Sequence, residues 1–204
     1  MYKLYWAPDT GAFAPEVVLT LAKAPFEKIP VDHASKEQKG EAYLKLNPMG
    51  QIPLLILPDG SIMTESAAMV LHLVDRFPEA GLAPPPGSSE RATFDRWLVF
   101  MAVNLYTADL RFYYPERYSS DPSGADGVKA AAARDLDRQF LILEAAIGPG
   151  PFLQGADYSA ADLYLLMLVD WYAPARDLPG IRRLCDALLA VPRIAAVRDV
   201  YVKA

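Results

Sequence analysis

Apolar and polar residues in the first 77 positions follow strand-like and helix-like spacings in turn. The pattern predicts a strand, a helix, a second strand, a short helix, a hairpin of two strands and an amphipathic helix. The predicted bounds are Tyr2–Trp6, Pro15–Lys23, Phe26–Val31, Gln38–Leu46, Pro53–Leu57 with Ser61–Thr64, and a helix that begins at Glu65-Ser66. This β-α-β-α-β-β-α order is typical of a mixed sheet with helices on both faces.

A proline- and glycine-rich run, PEAGLAPPPGSS, begins at Pro78 and ends at Ser89. Neither a helix nor a strand continues through such a run, so it predicts a domain boundary. Only helices are predicted after it, at Arg91–Phe112, Val128–Ile147, Asp162–Trp171, Ile181–Leu189 and Arg193–Val202. We therefore expect an α/β domain at residues 1–78, a linker at 79–88 and an all-helical domain at 89–204.

The charge and the hydropathy of the chain argue against nucleic acid and membranes as binding partners. The net charge is −5 and the basic residues are scattered, so nucleic acid is not an expected partner. No apolar run reaches the roughly 18–20 residues of a membrane span, and the first residues lack the layout of a signal peptide. We therefore expect a cytosolic protein with no membrane partner.

The few cysteines and histidines argue against disulfide and metal chemistry. Cys185 is the only cysteine, which excludes an internal disulfide and a CxxC pair. It lies in a helical pattern and is expected to pack there. His33 and His72 have no spacing that suggests metal ligation, so no metal site is predicted.

Two short segments are candidates for binding, and each also has an ordinary structural interpretation. In Gln51-Ile52-Pro53, the tripeptide alone favours a trans proline at the start of a strand. A cis bond would instead leave the Ile52 backbone free to pair with an extended peptide. Glu65-Ser66 opens a helix, where Ser66 either only caps the helix or, with the free N–H groups, helps to bind an anion.

The loop Ala7–Ala14 is the expected place for a reactive group, because a helix N-terminus stabilises a developing anion. The loop contains Thr10 but neither Cys nor Ser. Tyr5, at the end of the preceding strand, carries the other nearby hydroxyl, although an isolated tyrosine is more often a core aromatic. Farther along, Ser159 and Asp162 match a capping box, which we interpret as structural.

The order and spacing of these segments resemble the glutathione transferase family, especially its bacterial beta-like branch, over nearly the whole chain. The resemblance is carried by KLYWAPDTGAFAPEVVL, LKLNPMGQIPLLILPDGSIMTESAAMVLHLVDRF and FLQGADYSAADLYLLMLVDW. It implies a thioredoxin-like α/β domain followed by an all-α helical domain. It also implies glutathione as co-substrate, a small apolar electrophile as second substrate, and a homodimer.

The resemblance also implies roles for the two binding candidates. In that family a cis proline and the residue before it pair with the cysteinyl unit of glutathione, which implies this role for Pro53 and Ile52. An acid-serine pair receives the γ-glutamyl end, which implies this role for Glu65 and Ser66. Gln51 is then a neighbouring polar contact.

The chain departs from the beta-like pattern at two places. The stretch Asp9–Ala12 has no cysteine, and a histidine common in the first long helix is replaced by Tyr106. Thiol–disulfide chemistry is therefore not expected, because it needs a protein thiolate near glutathione. We expect instead that Tyr5 or Thr10 donates a hydrogen bond to the glutathione sulfur. Tyr5 is slightly favoured because its position resembles the catalytic tyrosine of other transferase classes.

The electrophile is expected to bind between the domains, against residues of the helical domain. The candidates, which also fit an ordinary core, are Tyr106, Leu110, Tyr113 and Trp171. Two alternative functions stay open at this point. One is a non-catalytic glutathione-binding or protein-interaction module, and the other is a glutathione-dependent isomerase or peroxidase.

Overall fold

The computed structural model describes residues 1–202, which form two compact units. The first unit contains Met1–Pro86 together with the chain from Leu189 onward, and the second is Gly87–Leu188. Residues 203 and 204 of the predicted helical domain lie outside the described residues.

The elements of the first unit are β1 Tyr2–Trp6, α1 Phe13–Leu21, β2 Phe26–Pro30, α2 Glu41–Leu44, β3 Leu54–Ile56, β4 Ile62–Met63 and α3 Ser66–Arg76. The four strands form one sheet in the order β2-β1-β3-β4. Strand β1 is parallel to β2 and antiparallel to β3, and β3 is antiparallel to β4. The predicted β-α-β-α-β-β-α order is therefore present, and β1 has the bounds that the sequence predicts.

Helices cover both faces of this sheet. Successive residues of a strand point to opposite faces, so Tyr5 and Trp6 at the end of β1 report on the two sides. The Tyr5 ring contacts Tyr43 of α2, with 5.9 Å between ring centroids. The Trp6 ring lies 5.3 Å from Tyr201, in a helix that packs on α1. Helix α2 therefore covers one face, and α1 covers the other.

Two helices of the first unit differ from their predicted bounds. Helix α1 begins two residues before Pro15, which the first turn of a helix tolerates because its N–H groups have no helical partner. Helix α2 is a single turn, since Glu37–Lys39 forms a separate 3₁₀ turn and Gly40 in extended conformation precedes Glu41.

The last helix, α9 (Pro192–Tyr201), lies in the first compact unit. The sequence places it in the helical domain, but it packs on α1 of the first unit. The physical reason lies in Tyr201, whose buried ring contacts Trp6 and Phe13 and whose hydroxyl donates to Glu16 at 2.6 Å. Helical spacing alone does not reveal which surface an amphipathic helix covers.

The second unit is helical. Its elements are α4 Ser89–Phe100, α5 Tyr106–Tyr113, α6 Ala125–Ile147, α7 Ala160–Trp171 and α8 Pro179–Leu189. Helix α7 is central, because every residue from Ala160 to Val169 is buried. Its predicted capping box is present: the Asp162 carboxylate accepts the Ser159 N–H at 2.8 Å, and the Ser159 hydroxyl oxygen accepts the Ala161 N–H at 3.3 Å.

The helix predicted at Arg91–Phe112 is continuous but not uniformly α-helical. Met101–Leu105 forms a π-helical segment between α4 and α5. Within this stretch the Asn104 amide donates to the Phe100 carbonyl at 3.0 Å. Such segments frequently lie near functional sites, and this one leads directly into Tyr106.

Candidate functional site

Three loops of the first unit emerge at one edge of the sheet. Strands β1 and β4 end there and β3 begins there, because β1 and β4 flank β3 and both run antiparallel to it. The first loop, the Ile52-Pro53 step and the Glu65-Ser66 step follow or precede these strand ends. The topology therefore brings together the segments that the sequence singles out for binding.

The Ile52–Pro53 peptide bond is cis. The carbonyl before it is held by two donors, since the Tyr43 hydroxyl and the Asn47 side-chain amide each donate to the Gln51 carbonyl at 2.8 Å. Burial is the largest cause that raises the pKa of Tyr43, so its hydroxyl stays protonated and remains a donor. The Gln51 side chain is exposed, which leaves it available for a ligand.

Tyr43 and Asn47 are functional candidates that sequence reasoning missed. Asn47 is 3% exposed although it stands in an Asn-Pro turn, where asparagine is usually solvated. Its side-chain oxygen also accepts the Met49 N–H at 3.1 Å. A turn asparagine before the proline step was the only signal in the sequence, and it does not reveal the contact with Gln51.

Glu65 and Ser66 form the start of α3. Glu65 has φ +67° and ψ 106°, a conformation that non-glycine residues rarely adopt, and such outliers cluster at functional sites. Its carbonyl accepts the Met69 N–H at 2.9 Å. Ser66 is 7% exposed at the first helical position. The first turn of α3 carries no acidic residue, so its N–H groups and helix dipole favour an anionic ligand.

The structure distinguishes the two hydroxyl candidates for thiol activation. Thr10 is buried, and its hydroxyl donates to the Ala7 carbonyl at 2.7 Å. Its proton is therefore already used within the loop. Tyr5 is half-buried with its ring against Tyr43, and within residues 1–202 its hydroxyl makes no hydrogen bond. Tyr5 can donate without first breaking a bond.

The four candidates in the second unit lie together on α5 and α7. Tyr106 and Trp171 make an edge-to-face contact with 5.1 Å between ring centroids. Tyr113 is 54% exposed, and its hydroxyl donates to the Trp171 carbonyl. Leu110 is partly exposed and lies one turn after Tyr106. The arrangement is an aromatic surface with one apolar aliphatic residue.

Asp109 is an ionisable residue on the same helix as Tyr106 and Leu110, and the sequence analysis did not single it out. It lies on α5, three residues after Tyr106, and is 2% exposed. Neither carboxylate oxygen has a hydrogen-bond partner within the described part of the chain. Burial raises the pKa of Asp109 to about 8, so the carboxyl is mostly protonated at neutral pH. An aspartate inside the apolar pattern LYTADLRF was the available signal.

The remaining chemistry-bearing residues have structural surroundings. His72 Nε2 lies 3.4 Å from the Tyr2 hydroxyl, and Cys185 is fully buried in α8. Among residues 1–202, no group of three or more His, Cys, Asp or Glu side chains is arranged to hold a metal ion. In the same range, no helix has the length and apolar character to cross a membrane.

Comparison with known proteins defines the class. Residues 13–76 match the family model described as the N-terminal domain of glutathione S-transferase. The chain is 32% identical over 203 residues to an uncharacterized GST-like protein, YncG, of Escherichia coli K12, with 97% of each chain covered. It is 25% identical over 199 residues to the glutathione S-transferase GstA of Escherichia coli O157:H7, covering 97% and 96% of the two chains.

Solved structures agree with this class. A glutathione transferase homologue from Sulfitobacter, solved with bound glutathione, has a TM-score of 0.90 at 27% identity and covers 100% of this chain and 99% of its own. A beta class glutathione S-transferase of Sphingomonas chungbukensis has a TM-score of 0.82 at 27% identity, with 96% of each chain covered. The fold is that of a glutathione transferase.

The chain belongs to the glutathione S-transferase family, and bacterial beta class proteins are among its relatives. The predicted family and the predicted fold class, a thioredoxin-like α/β domain followed by helices, are both confirmed.

Proposed function

We propose that this protein is a glutathione transferase that joins the sulfur of glutathione to a carbon of a small apolar electrophile. The observation that carries the proposal is the convergence of the first loop, the cis Ile52–Pro53 step and the start of α3 at one sheet edge. Membership of the family supports it, as does the Sulfitobacter relative with bound glutathione.

Glutathione has an extended peptide backbone and an anionic γ-glutamyl end, and the site offers a partner for each. The Ile52 backbone pairs with the cysteinyl unit beside Pro53. Ser66 and the N–H groups at the start of α3 receive the γ-glutamyl carboxylate, with Glu65 beside its amino group. The exposed Gln51 side chain adds a polar contact.

The reaction requires the thiolate form of glutathione. A free thiol has a pKa of about 8.5, and lowering it by two units needs about 2.7 kcal/mol. A hydroxyl donor and the N-terminus of α1 together suffice for that amount. Tyr5 is the preferred donor because its hydroxyl is uncommitted, whereas the Thr10 proton is held by the Ala7 carbonyl. Thr10 remains the second candidate.

With an activated chloroarene as probe, the sulfur forms a bond to the ring carbon, the carbon–chlorine bond breaks, and chloride leaves. The thiol proton is released to solvent. Tyr106, Leu110, Tyr113 and Trp171 bind the electrophile, and their aromatic character suits a flat apolar molecule. A Tyr106→Ala variant is expected to raise KM for the chloroarene while leaving the affinity for glutathione unchanged.

The test is a titration of glutathione into the purified protein at neutral pH, followed by thiolate absorbance in the ultraviolet. S-methylglutathione serves as the matched ligand, because it keeps the peptide but has no ionisable thiol. We expect a saturating thiolate signal with glutathione, and competition by S-methylglutathione. Tyr5→Phe then abolishes most of the signal, and Thr10→Ala much less of it.

Other outcomes would favour the alternative functions. Binding of both ligands without a thiolate signal favours a non-catalytic glutathione-binding module, for which the absence of a loop cysteine is the supporting observation. A thiolate signal without conjugation of any chloroarene or enone favours a glutathione-dependent isomerase or peroxidase. Activity that survives both Tyr5→Phe and Thr10→Ala would refute the assignment of the donor.

The proposal extends to assembly and location. We expect a homodimer in the cytoplasm, where thiols are kept reduced, acting in the detoxification of electrophiles. Val99 and Val103 support the dimer, since they lie one turn apart and are 48% and 58% exposed. Sedimentation of the wild type beside Val103→Glu tests it. A wild type that sediments as a monomer would contradict the dimer.

A further inference from the structure

Tyr201 lies in α9, about 190 residues along the chain from the loop that follows β1. In the folded chain it nevertheless contacts residues at both ends of that loop and inside it. Its ring lies 5.3 Å from the Trp6 ring before the loop and 5.6 Å from the Phe13 ring after it. Its backbone carbonyl accepts the Asp9 N–H, inside the loop, at 3.2 Å. One residue therefore touches the beginning, the middle and the end of the same loop.

The Tyr201 hydroxyl makes a second link, to Glu16 of α1, at 2.6 Å. Glu16 is 5% exposed and also accepts a hydrogen bond from Lys28 of β2 at 2.7 Å. The Lys28 ammonium in turn lies 3.7 Å from the centre of the Trp6 ring. The buried carboxylate is therefore paired with a cation and held by a neutral donor, which is the arrangement in which a buried charge is stable.

The protonation of Tyr201 favours this arrangement. Burial, followed by the nearby Glu16 charge, raises the pKa of Tyr201, so the hydroxyl stays protonated and keeps donating. The ring is 3% exposed, which prevents water from replacing the bond. The Tyr201 hydroxyl therefore remains a donor over the pH range in which a glutathione thiol ionises.

The loop itself needs an external restraint. Asp9 has φ +53°, a left-handed conformation that costs free energy for a residue other than glycine. The Asp9 side chain makes no hydrogen bond within residues 1–202, and its N–H is bound by Tyr201. The Thr10 hydroxyl bond to Ala7 is local to the loop and cannot fix the loop relative to α1.

We infer that Tyr201 is a positioning residue of the glutathione site, and that α9 holds the first loop in the conformation that thiol activation requires. This inference rests on the proposed function for its link to glutathione. It assigns α9 an indirect part in the chemistry, through the loop that Tyr201 contacts. A purely structural role would anchor α9 without affecting the loop.

The test compares wild type, Tyr201→Phe and Val200→Ala. Tyr201→Phe removes only the hydroxyl and leaves Glu16 paired with Lys28, so the variant is expected to fold. Val200 is 48% exposed on the same helix and serves as the matched control. Backbone hydrogen exchange is measured in peptides that cover residues 7–14 and, as an internal control, the β3–β4 hairpin.

We expect residues 7–14 to exchange about five- to tenfold faster in Tyr201→Phe, because loss of the bond to Glu16 loosens α9 and with it the bond from the Asp9 N–H to the Tyr201 carbonyl. The hairpin and the Val200→Ala protein are expected to match wild type. In the same variant the pKa of the bound glutathione thiol, measured by thiolate absorbance, is expected to rise, and kcat/KM at pH 6.5 to fall about fivefold.

Two results would overturn the inference. One is unchanged exchange of residues 7–14 in Tyr201→Phe. The other is faster exchange with an unchanged thiol pKa and an unchanged kcat/KM. A wild type without any thiolate signal would instead refute the proposed function and the link to glutathione, while the exchange comparison still decides whether Tyr201 holds the loop.

Discussion

Replacement of Asp109 by asparagine tests the free-energy cost of burying a carboxyl group away from water. The wild-type carboxyl is 2% exposed, and neither of its oxygens has a hydrogen-bond partner among residues 1–202. Its pKa rises from the ordinary value of 3.8 to about 8 because of burial. The folded protein therefore prefers the protonated form, whereas the unfolded chain ionises above pH 4. Stability from this group is fully present below pH 4 and is lost as the pH rises toward 8.

The size of the effect follows from the shift. One pKa unit corresponds to about 1.4 kcal/mol, so stability falls by about 1.4 kcal/mol for each pH unit between 4 and 8. Between pH 5 and pH 7 the wild type should lose about 3 kcal/mol relative to Asp109→Asn, which has no charge to bury. Tyr172 does not titrate in this range, since burial and its bond to Asp137 raise its pKa to about 12.

Urea unfolding of wild type and Asp109→Asn at pH 5 and pH 7 measures this difference. The contributions of all groups common to the two proteins cancel when their free energies of unfolding are subtracted. Asp186→Asn, which removes an exposed carboxylate from α8, controls for the loss of one charge. The reasoning is refuted if the free energy of unfolding of Asp109→Asn minus that of wild type has the same value at both pH values.

Three further substitutions test the site and the helical unit. Ser66→Ala is expected to weaken glutathione binding about tenfold in calorimetry through the loss of one hydrogen bond to a charged group, whereas Ser88→Ala, which removes the cap of α4, leaves the affinity unchanged. Asn47→Ala removes one of two donors to the Gln51 carbonyl and is expected to weaken glutathione binding about three- to fivefold without affecting S-C bond formation at saturation. Asp162→Ala leaves two buried backbone donors unpaired and is expected to cost about 3 kcal/mol in thermal unfolding. Equal affinities for the two serine variants, an unaltered Asn47→Ala affinity, or an unaltered melting temperature for Asp162→Ala would contradict the respective assignment.

Local pattern predicted most elements of this fold. The bounds of β1 are correct because its alternating apolar residues and the turn after it are local signals. The capping box of α7 is likewise correct, since its two partners are three residues apart. The candidate binding segments were recognisable because each is a short local motif: Pro53 begins a predicted strand, and Ser66 follows the next one.

Local sequence pattern did not predict features of the structure that depend on residues distant in the chain. The cis state of the Ile52–Pro53 bond is not favoured by the tripeptide and is seen only in the folded chain. The two donors to the Gln51 carbonyl come from α2 and from the turn after it, which no spacing rule connects to a proline step. The π-helical segment at Met101–Leu105 is also absent from the sequence pattern.

The sequence by itself determined the family, the order of the elements and the segments proposed for the glutathione site, because these depend on residues close together in the chain. Only the tertiary structure decided that α9 packs on α1 and that Tyr201 contacts the first loop. It also decided that Asp109 is buried with no hydrogen-bond partner in the described part of the chain. Burial and long-range hydrogen bonds depend on which surfaces meet after the chain has folded, and periodicity along the sequence does not specify that.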